Sequence, residues 1–164
     1  MTPSVSPPPP PVPPDAGVAG TPGGATMDAM GQARSVVAQL NETLNAHDVA
    51  GGRRLYAADA LLVTAQGRRL DLDGIDAMVS VTLRAFPDLR MTVQRWVEDG
   101  EVVVTEEVME GTHRGEFAGM APTGRRVNLP MVHVTRVVEG RIVERVAYHD
   151  TAGIVRQLTG DQPG

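Results

Sequence analysis

Three side chains in the second half of the chain are the leading candidates for proton transfer: Asp150, His133 and Glu107. Asp150 stands at the end of the last predicted strand. Strict alternation places it on the same face as Tyr148, and burial of that face would raise the pKa of the Asp150 carboxyl group toward neutrality. A carboxyl group in that range can take a proton and return it. Asp150 also immediately precedes a predicted helix, so an N-cap is its alternative role.

His133 lies on the preceding predicted strand, on an otherwise apolar face with Met131, where an imidazole needs a hydrogen-bond partner. It could form a hydrogen bond with Asp150, hold a substrate carbonyl or be a core histidine whose hydrogen bonds are satisfied within the protein.

Glu107 faces away from Glu106 by alternation. Most strand carboxylates are solvated, but a Glu107 paired with Asp150 across a cavity would give two carboxyl groups with separated pKa values.

The remaining candidates would line a pocket or hold closed the loop at its entrance. His113 begins a glycine-rich connection and could line the mouth or hold that loop closed by a hydrogen bond. Alternation places His149 on the outer face of the last strand, beside Asp150. Besides Glu107, substrate-binding side chains are expected from His113, Tyr148, Met131, Phe117 and Trp96.

The composition excludes several classes of chemistry. The chain has no cysteine and no lysine, since all 15 basic residues are arginine. This rules out disulfides, thiolate metal sites, a Schiff-base lysine and a P-loop lysine. No H-x-H or H-E-x-x-H pattern occurs, so we predict no metal site.

A net charge of −5 argues against a nucleic-acid partner. No run is apolar enough for a membrane span or a signal peptide, which predicts a cytoplasmic protein.

The chain divides by composition into three parts. Nine of the 13 prolines lie in the first 22 residues, which predicts a disordered Pro/Gly-rich leader over 1–26. We predict one folded domain over 27–160 and a tail over 161–164.

Within the domain, periodicity predicts helices first and long antiparallel strands later. The predicted helices cover 27–44, 49–56, a segment from an Asp73 N-cap to Phe86, and 151–158; the predicted strands cover 61–65, 68–72, 91–98, 102–112, 126–138 and 142–149. This order indicates an α+β domain with a ligand cavity between a curved sheet and its helices.

Several short pieces of the chain stand in a distinctive order: Phe86-Pro87-Asp88-Leu89, Glu110-Gly111-Thr112-His113-Arg114-Gly115-Glu116-Phe117, Pro122-Thr123-Gly124-Arg125, Arg136-Val137-Val138-Glu139-Gly140-Arg141-Ile142-Val143-Glu144, Tyr148-His149-Asp150-Thr151-Ala152-Gly153 and Gln157-Leu158. Together they resemble the SnoaL-like polyketide cyclase family of the NTF2-like superfamily, over about residues 30–160. The resemblance implies an α+β, cone-shaped barrel with an apolar pocket, often a homodimer, with no metal or organic cofactor.

The resemblance also implies an activity. It points to a cyclase of isomerase or lyase type in antibiotic biosynthesis, which closes a ring in a polyketide or related natural-product intermediate by an intramolecular aldol-type reaction. By resemblance, Asp150 would remove the carbon proton and return it to the new oxygen. His133, Tyr148 or His113 would donate hydrogen bonds to the developing oxyanion.

The chain departs from common family members at Glu106, Glu107 and His149, where an arginine, a tryptophan and an aromatic residue are frequent. Other reactions on the same pocket therefore stay open: an epoxide-opening or ether-forming cyclase, an isomerase or a hydroxylase-type relative. A ligand-binding module without turnover is the alternative from another class. A raised pKa at Asp150 would favour the catalyst, because a binding module has no need of one.

Overall fold

The computed structural model describes residues 27–160. The predicted leader over 1–26 and tail over 161–164 lie outside the described residues. In chain order the elements are α1 (Met27–Asn45), α2 (Val49–Arg53), β1 (Tyr56–Val63), β2 (Arg69–Leu70), α3 (Leu72–Ala85), β3 (Arg90–Asp99), β4 (Val102–Thr112), β5 (Arg126–Val138), β6 (Arg141–His149) and α4 (Thr151–Thr159).

Local sequence signals explain where the helices begin. The carboxylate of Asp48 accepts the backbone N–H of Gly51 and caps α2. The predicted cap of α3, Asp73, is wrong by two residues. Asp71 has the extended backbone of an N-cap and accepts the N–H of Gly74, so Asp73 lies in the first turn of the helix. An acidic side chain there still complements the positive end of the helix dipole.

The strands form one sheet in the order β2-β1-β6-β5-β4-β3. Among the strands of residues 27–160, only β1 and β6 pair in parallel. The long hairpins β3–β4 and β5–β6 turn at Gly100 and Gly140, both of which have positive φ. Register shifts in β1, β3 and the β5–β6 pair mark bulges, which bend the strands. Helix α1 packs against β3, β4 and β5, and α3 packs against β1. The predicted α+β architecture, a curved sheet wrapped on N-terminal helices, is confirmed.

One bulge lies near the start of β6. Arg136 of β5 pairs with Glu144, whereas the next residue, Val137, pairs with Ile142. Val143 is therefore an extra residue without a partner in β5. Because side chains alternate between faces, one extra residue moves every later side chain of β6 to the opposite face.

This inversion overturns the predicted faces of the second half of β6. We expected Tyr148 and Asp150 to face the interior and His149 to face outward. In the structure Tyr148 is 56% exposed, and the inward side chains are Arg145, Ala147 and His149. Strict alternation cannot reveal a bulge, which is why these predictions were wrong.

Within residues 27–160, no helix has the length and apolarity that crossing a membrane requires.

Candidate active site

A cavity of about 680 Å³ lies between the inner face of the sheet, the helices and the β4–β5 connection. This volume lies within the range of small-molecule sites. Most of its wall is apolar, with contributions from Leu40, Met78, Leu83, Met91, Met109 and Leu129. A polar zone of the wall is formed by Asn41, His133, Arg145 and His149.

Glu107 is the centre of a buried polar network at this zone. Its side chain has no exposed surface. Thr105 Oγ1 donates to Oε1 at 2.6 Å, and Asn41 Nδ2 donates to the same oxygen at 3.2 Å. His133 Nδ1 lies 2.9 Å from Oε2, and Arg145 Nη2 lies 3.6 Å from Oε1. Glu107 pairs with these groups and not with Asp150, the partner that the sequence suggested.

The register of three adjacent strands assembles this network. Alternation on β4 points Thr105 and Glu107 inward, and Thr105 stands opposite His133 of β5. Two residues further along β5, Thr135 stands opposite Arg145 of β6 and accepts a hydrogen bond from its Nη1 at 3.4 Å. Cross-strand and diagonal neighbours on one face are close enough to interact.

The network sets the charge of each member. Burial favours the neutral form of Glu107, but the hydrogen bond from His133 and the charge of Arg145 outweigh it and lower the pKa of Glu107 to about 2. Burial, reinforced by the charge of Arg145, lowers the pKa of His133 to about 4, although Glu107 opposes the shift. At neutral pH the carboxylate and guanidinium are charged and the imidazole is neutral.

The tautomer of His133 follows from this charge state. Nδ1 faces an ionised carboxylate, which can only accept a hydrogen bond, so Nδ1 carries the proton. Nε2 then carries the lone pair, and it has no protein hydrogen-bond partner among the described residues. Because the ring lines the cavity, this arrangement provides a general base on the cavity wall.

Asp150 has a different environment from the one the sequence led us to expect. Its side chain is 61% exposed and does not line the cavity. It accepts the N–H of Gly153 at 2.9 Å as the N-cap of α4, and Arg156 Nη2 lies 2.7 Å from its other oxygen. The Gly153 N–H and the Arg156 charge lower the pKa of Asp150. The expected upward shift is therefore absent, and the N-cap is the role that this geometry shows.

The other predicted site residues fall into two groups. Met131 and Phe117 line the cavity. His113, Tyr148 and Trp96 do not.

His113 holds the β4–β5 connection. Its ring is fully buried between Phe86 and Phe117, and its Nδ1 accepts the backbone N–H of Thr123 at 3.2 Å. This fits the loop-holding role. Trp96 packs against the core with the guanidinium of Arg34 5.0 Å from its ring centroid.

Sequence reasoning missed two members of the polar zone, Asn41 and Arg145, and placed a third candidate, His149, on the wrong face. Asn41 follows Val37 by four residues and so continues the apolar stripe of α1, which was an available signal. The inward orientation of Arg145 and His149 depends on the bulge at Val143, which no signal in the sequence indicated.

Within residues 27–160, no group of three or more His, Asp or Glu side chains is arranged to hold a metal ion.

The sequence is similar to that of a known protein family over most of its length. The model of the SnoaL-like polyketide cyclases matches residues 34–158. Nogalonic acid methyl ester cyclase from Streptomyces nogalater is 36% identical over 76 residues, which are 46% of this chain and 57% of that protein. The chain thus spans little more than half the length of this relative.

Solved structures that share the fold include IdmH and AclR. IdmH from Streptomyces antibioticus, a proposed polyketide cyclase, is 34% identical, with a TM-score of 0.70 over 78% of this chain and 99% of that chain. AclR from Streptomyces galilaeus, a proposed hydroxylase, is 24% identical, with a TM-score of 0.74 over 82% of this chain and 85% of that chain. The likeness to AclR shows the fold alone. The predicted NTF2-like fold is confirmed, and the chain belongs to the SnoaL-like polyketide cyclase family.

Proposed function

We propose that this protein closes a ring in an ester-bearing polyketide intermediate by an intramolecular aldol-type reaction inside the cavity. The observation that carries the proposal is the 2.9 Å contact between Nδ1 of His133 and the buried carboxylate of Glu107, on a ring that lines the cavity. The similarity to a methyl ester cyclase supports the substrate class.

His133 acts as the general base in this reaction. Its Nε2 takes a proton from a carbon that neighbouring carbonyl groups make acidic. Glu107 fixes the tautomer through Nδ1–H and stabilises the imidazolium that forms, which is the role of the carboxylate in a catalytic triad. A base placed in this way contributes about 10²- to 10⁴-fold in rate.

The rest of the reaction returns that proton. The enolate carbon attacks a second carbonyl of the same molecule, so one C–C bond forms and the carbonyl oxygen becomes an alkoxide. The His133 imidazolium then protonates the alkoxide, and the product has the mass of the substrate. The guanidinium of Arg145, on the same wall, stabilises the negative charge of the enolate. Folding the substrate so that the two carbons meet supplies the larger part of the acceleration.

Asp150 is the competing candidate, because the resemblance implies it as the acid/base. Its exposure and its cap role favour His133 over it. The predicted homodimer and the isomerase or lyase class rest on the resemblance, and the predicted cytoplasmic location rests on the sequence pattern; all three stay predictions.

Three proteins test the proposal with nogalonic acid methyl ester as substrate: the wild type, His133→Phe and Asp150→Asn. Phenylalanine keeps most of the ring volume but cannot transfer a proton, whereas asparagine caps a helix about as well as aspartate. We expect a product of unchanged mass from the wild type and from Asp150→Asn, and a loss of about 10²- to 10⁴-fold in kcat for folded His133→Phe.

Each other result has a defined meaning. Loss in Asp150→Asn together with activity in His133→Phe would transfer the acid/base role to Asp150. Substrate binding without conversion by the wild type would favour a ligand-binding module. A product of changed mass would indicate a reaction of another class, such as hydroxylation.

A further inference from the structure

The cavity wall carries a second imidazole that the proton transfer above does not use. His149 lies on β6, opposite Met131 of β5, and both side chains line the cavity. We propose that His149 donates a hydrogen bond to the substrate oxygen that becomes negative during ring closure. This inference rests on the proposed function and adds a residue that contacts the acceptor carbonyl.

The spacing of the two imidazoles suits the two reacting ends of one substrate. His133 stands opposite Ala147, and His149 follows Ala147 by two residues on the same face. Such diagonal neighbours have Cα atoms about 7–8 Å apart. On the β6 side only the methyl group of Ala147 separates them. A substrate lying over that methyl group can place its acidic carbon at His133 and its acceptor oxygen at His149.

The surroundings of His149 leave one nitrogen for this task. Nδ1 is buried without a hydrogen-bond partner among residues 27–160. Buried N–H groups without partners are rarer than unused acceptors, so we assign the proton to Nε2. Burial lowers the pKa of His149, with Asp150 opposing the shift, which keeps the ring neutral near pH 7. A neutral imidazole can polarise a carbonyl group without giving up its proton.

The two imidazoles thus have separate tasks. The proton leaves the substrate carbon for Nε2 of His133 and returns from there to the new alkoxide. His149 keeps its own proton throughout and only shares it in a hydrogen bond. No other group needs to change its protonation state, so the step balances.

Two variants separate this role from a structural one. His149→Phe keeps a ring of similar size without the donor, whereas His149→Gln retains an N–H donor near the position of Nε2. We expect kcat with nogalonic acid methyl ester to fall about 10²- to 10³-fold in His149→Phe, the cost of one oxyanion donor. His149→Gln should recover at least about tenfold of that loss, with KM nearly constant in both variants.

A substrate-independent probe accompanies the kinetics. 4-Nitrophenol carries an oxygen that becomes negative on ionisation, and its absorbance reports that ionisation. We expect the wild type and His149→Gln to lower the pKa of the bound phenol further than His149→Phe does. Equal pKa values in the wild type and His149→Phe would overturn the inference. A difference between them in a wild type that closes no ring would support the donor and refute the cyclase.

Discussion

Arg145, on the cavity wall, forms an ion pair with the fully buried Glu107, with 3.6 Å between Nη2 and Oε1 and side-chain exposures of 6% and 0%. Taking two charges out of water is unfavourable, and the loss of either partner leaves the other buried and unpaired. Burial and the charge of Arg145 keep His133 neutral beside the ionised carboxylate, although Glu107 itself favours the imidazolium. The position of the ion pair next to the cavity therefore links the stability of the sheet to the chemistry of the site.

Replacing Glu107 by Gln tests that link. The amide cannot balance the charge of Arg145 or hold the imidazolium of His133. We expect the free energy of unfolding to fall by about 3–5 kcal/mol and kcat to fall by up to about 10⁴-fold, as when a triad carboxylate becomes an amide. Urea unfolding and steady-state kinetics measure the two effects.

Glu106→Gln is the matched control for that variant. Glu106 is the neighbouring residue on the opposite face, about half exposed, and pairs with Arg95 at 3.3 Å. An exposed pair contributes about 0–1 kcal/mol, and we expect no change in kcat. Equal effects of the two substitutions would contradict the role of Glu107.

The pH profile of kcat tests the charge of Arg145. Burial and the charge of Arg145 lower the pKa of His133 to about 4, so we expect activity to fall as the pH drops toward that value. In Arg145→Met the pKa of His133 rises, and the acidic limb of the profile should move to higher pH. Arg136→Met, at a half-exposed pair with Glu101, should leave the limb in place. A limb that is unmoved in Arg145→Met would show that another group controls the profile.

Uninterrupted alternation made part of the site predictable. Glu107 on β4 and His133 on β5 lie in regular stretches of paired strand, so a period of two gives their inward orientation. Their partner could not be identified from the sequence, because the choice between Asp150 and Arg145 depends on which face of β6 points inward.

The bulge explains most of the remaining differences. One extra residue, Val143, exchanges Tyr148 for His149 at the cavity, and no turn residue or proline marks it in the sequence. Asp150 is a different case. Its position before a helix already predicted the cap, whereas the resemblance implied catalysis, and the structure shows the cap geometry.

Ala147 leaves open the space in front of His133, and filling that space tests the position of the substrate. Ala147 lines the cavity, so a leucine there would extend into empty volume and avoid the cost of overpacking a core. We expect Ala147→Leu to lower kcat/KM at least about tenfold, with the free energy of unfolding changed by less than about 1.5 kcal/mol. Ala152→Leu, on the exposed face of α4, should leave kcat/KM unchanged. Normal kcat/KM in Ala147→Leu would place the substrate elsewhere.

The stability of the protein should fall on acidification in two windows. The pKa of His133 lies at about 4 in the folded protein against an ordinary 6.5, and that of Glu107 at about 2 against 4.5. In both cases the unfolded chain binds the proton first as the pH falls, which favours unfolding. The contribution of His133 is thus complete above pH 6.5 and is lost down to about 4, while that of Glu107 is lost between 4.5 and about 2.

A variant can assign the first window to His133. His133→Asn places an amide donor near the position of Nδ1, which faces Glu107, but has no group that titrates, so its free energy of unfolding should depend less on pH than that of the wild type between 6.5 and about 4. Urea unfolding at a series of pH values measures this dependence. Equal slopes in the two proteins would mean that His133 binds its proton equally well folded and unfolded. The buried neutral imidazole, and with it the general base, would then have to be abandoned.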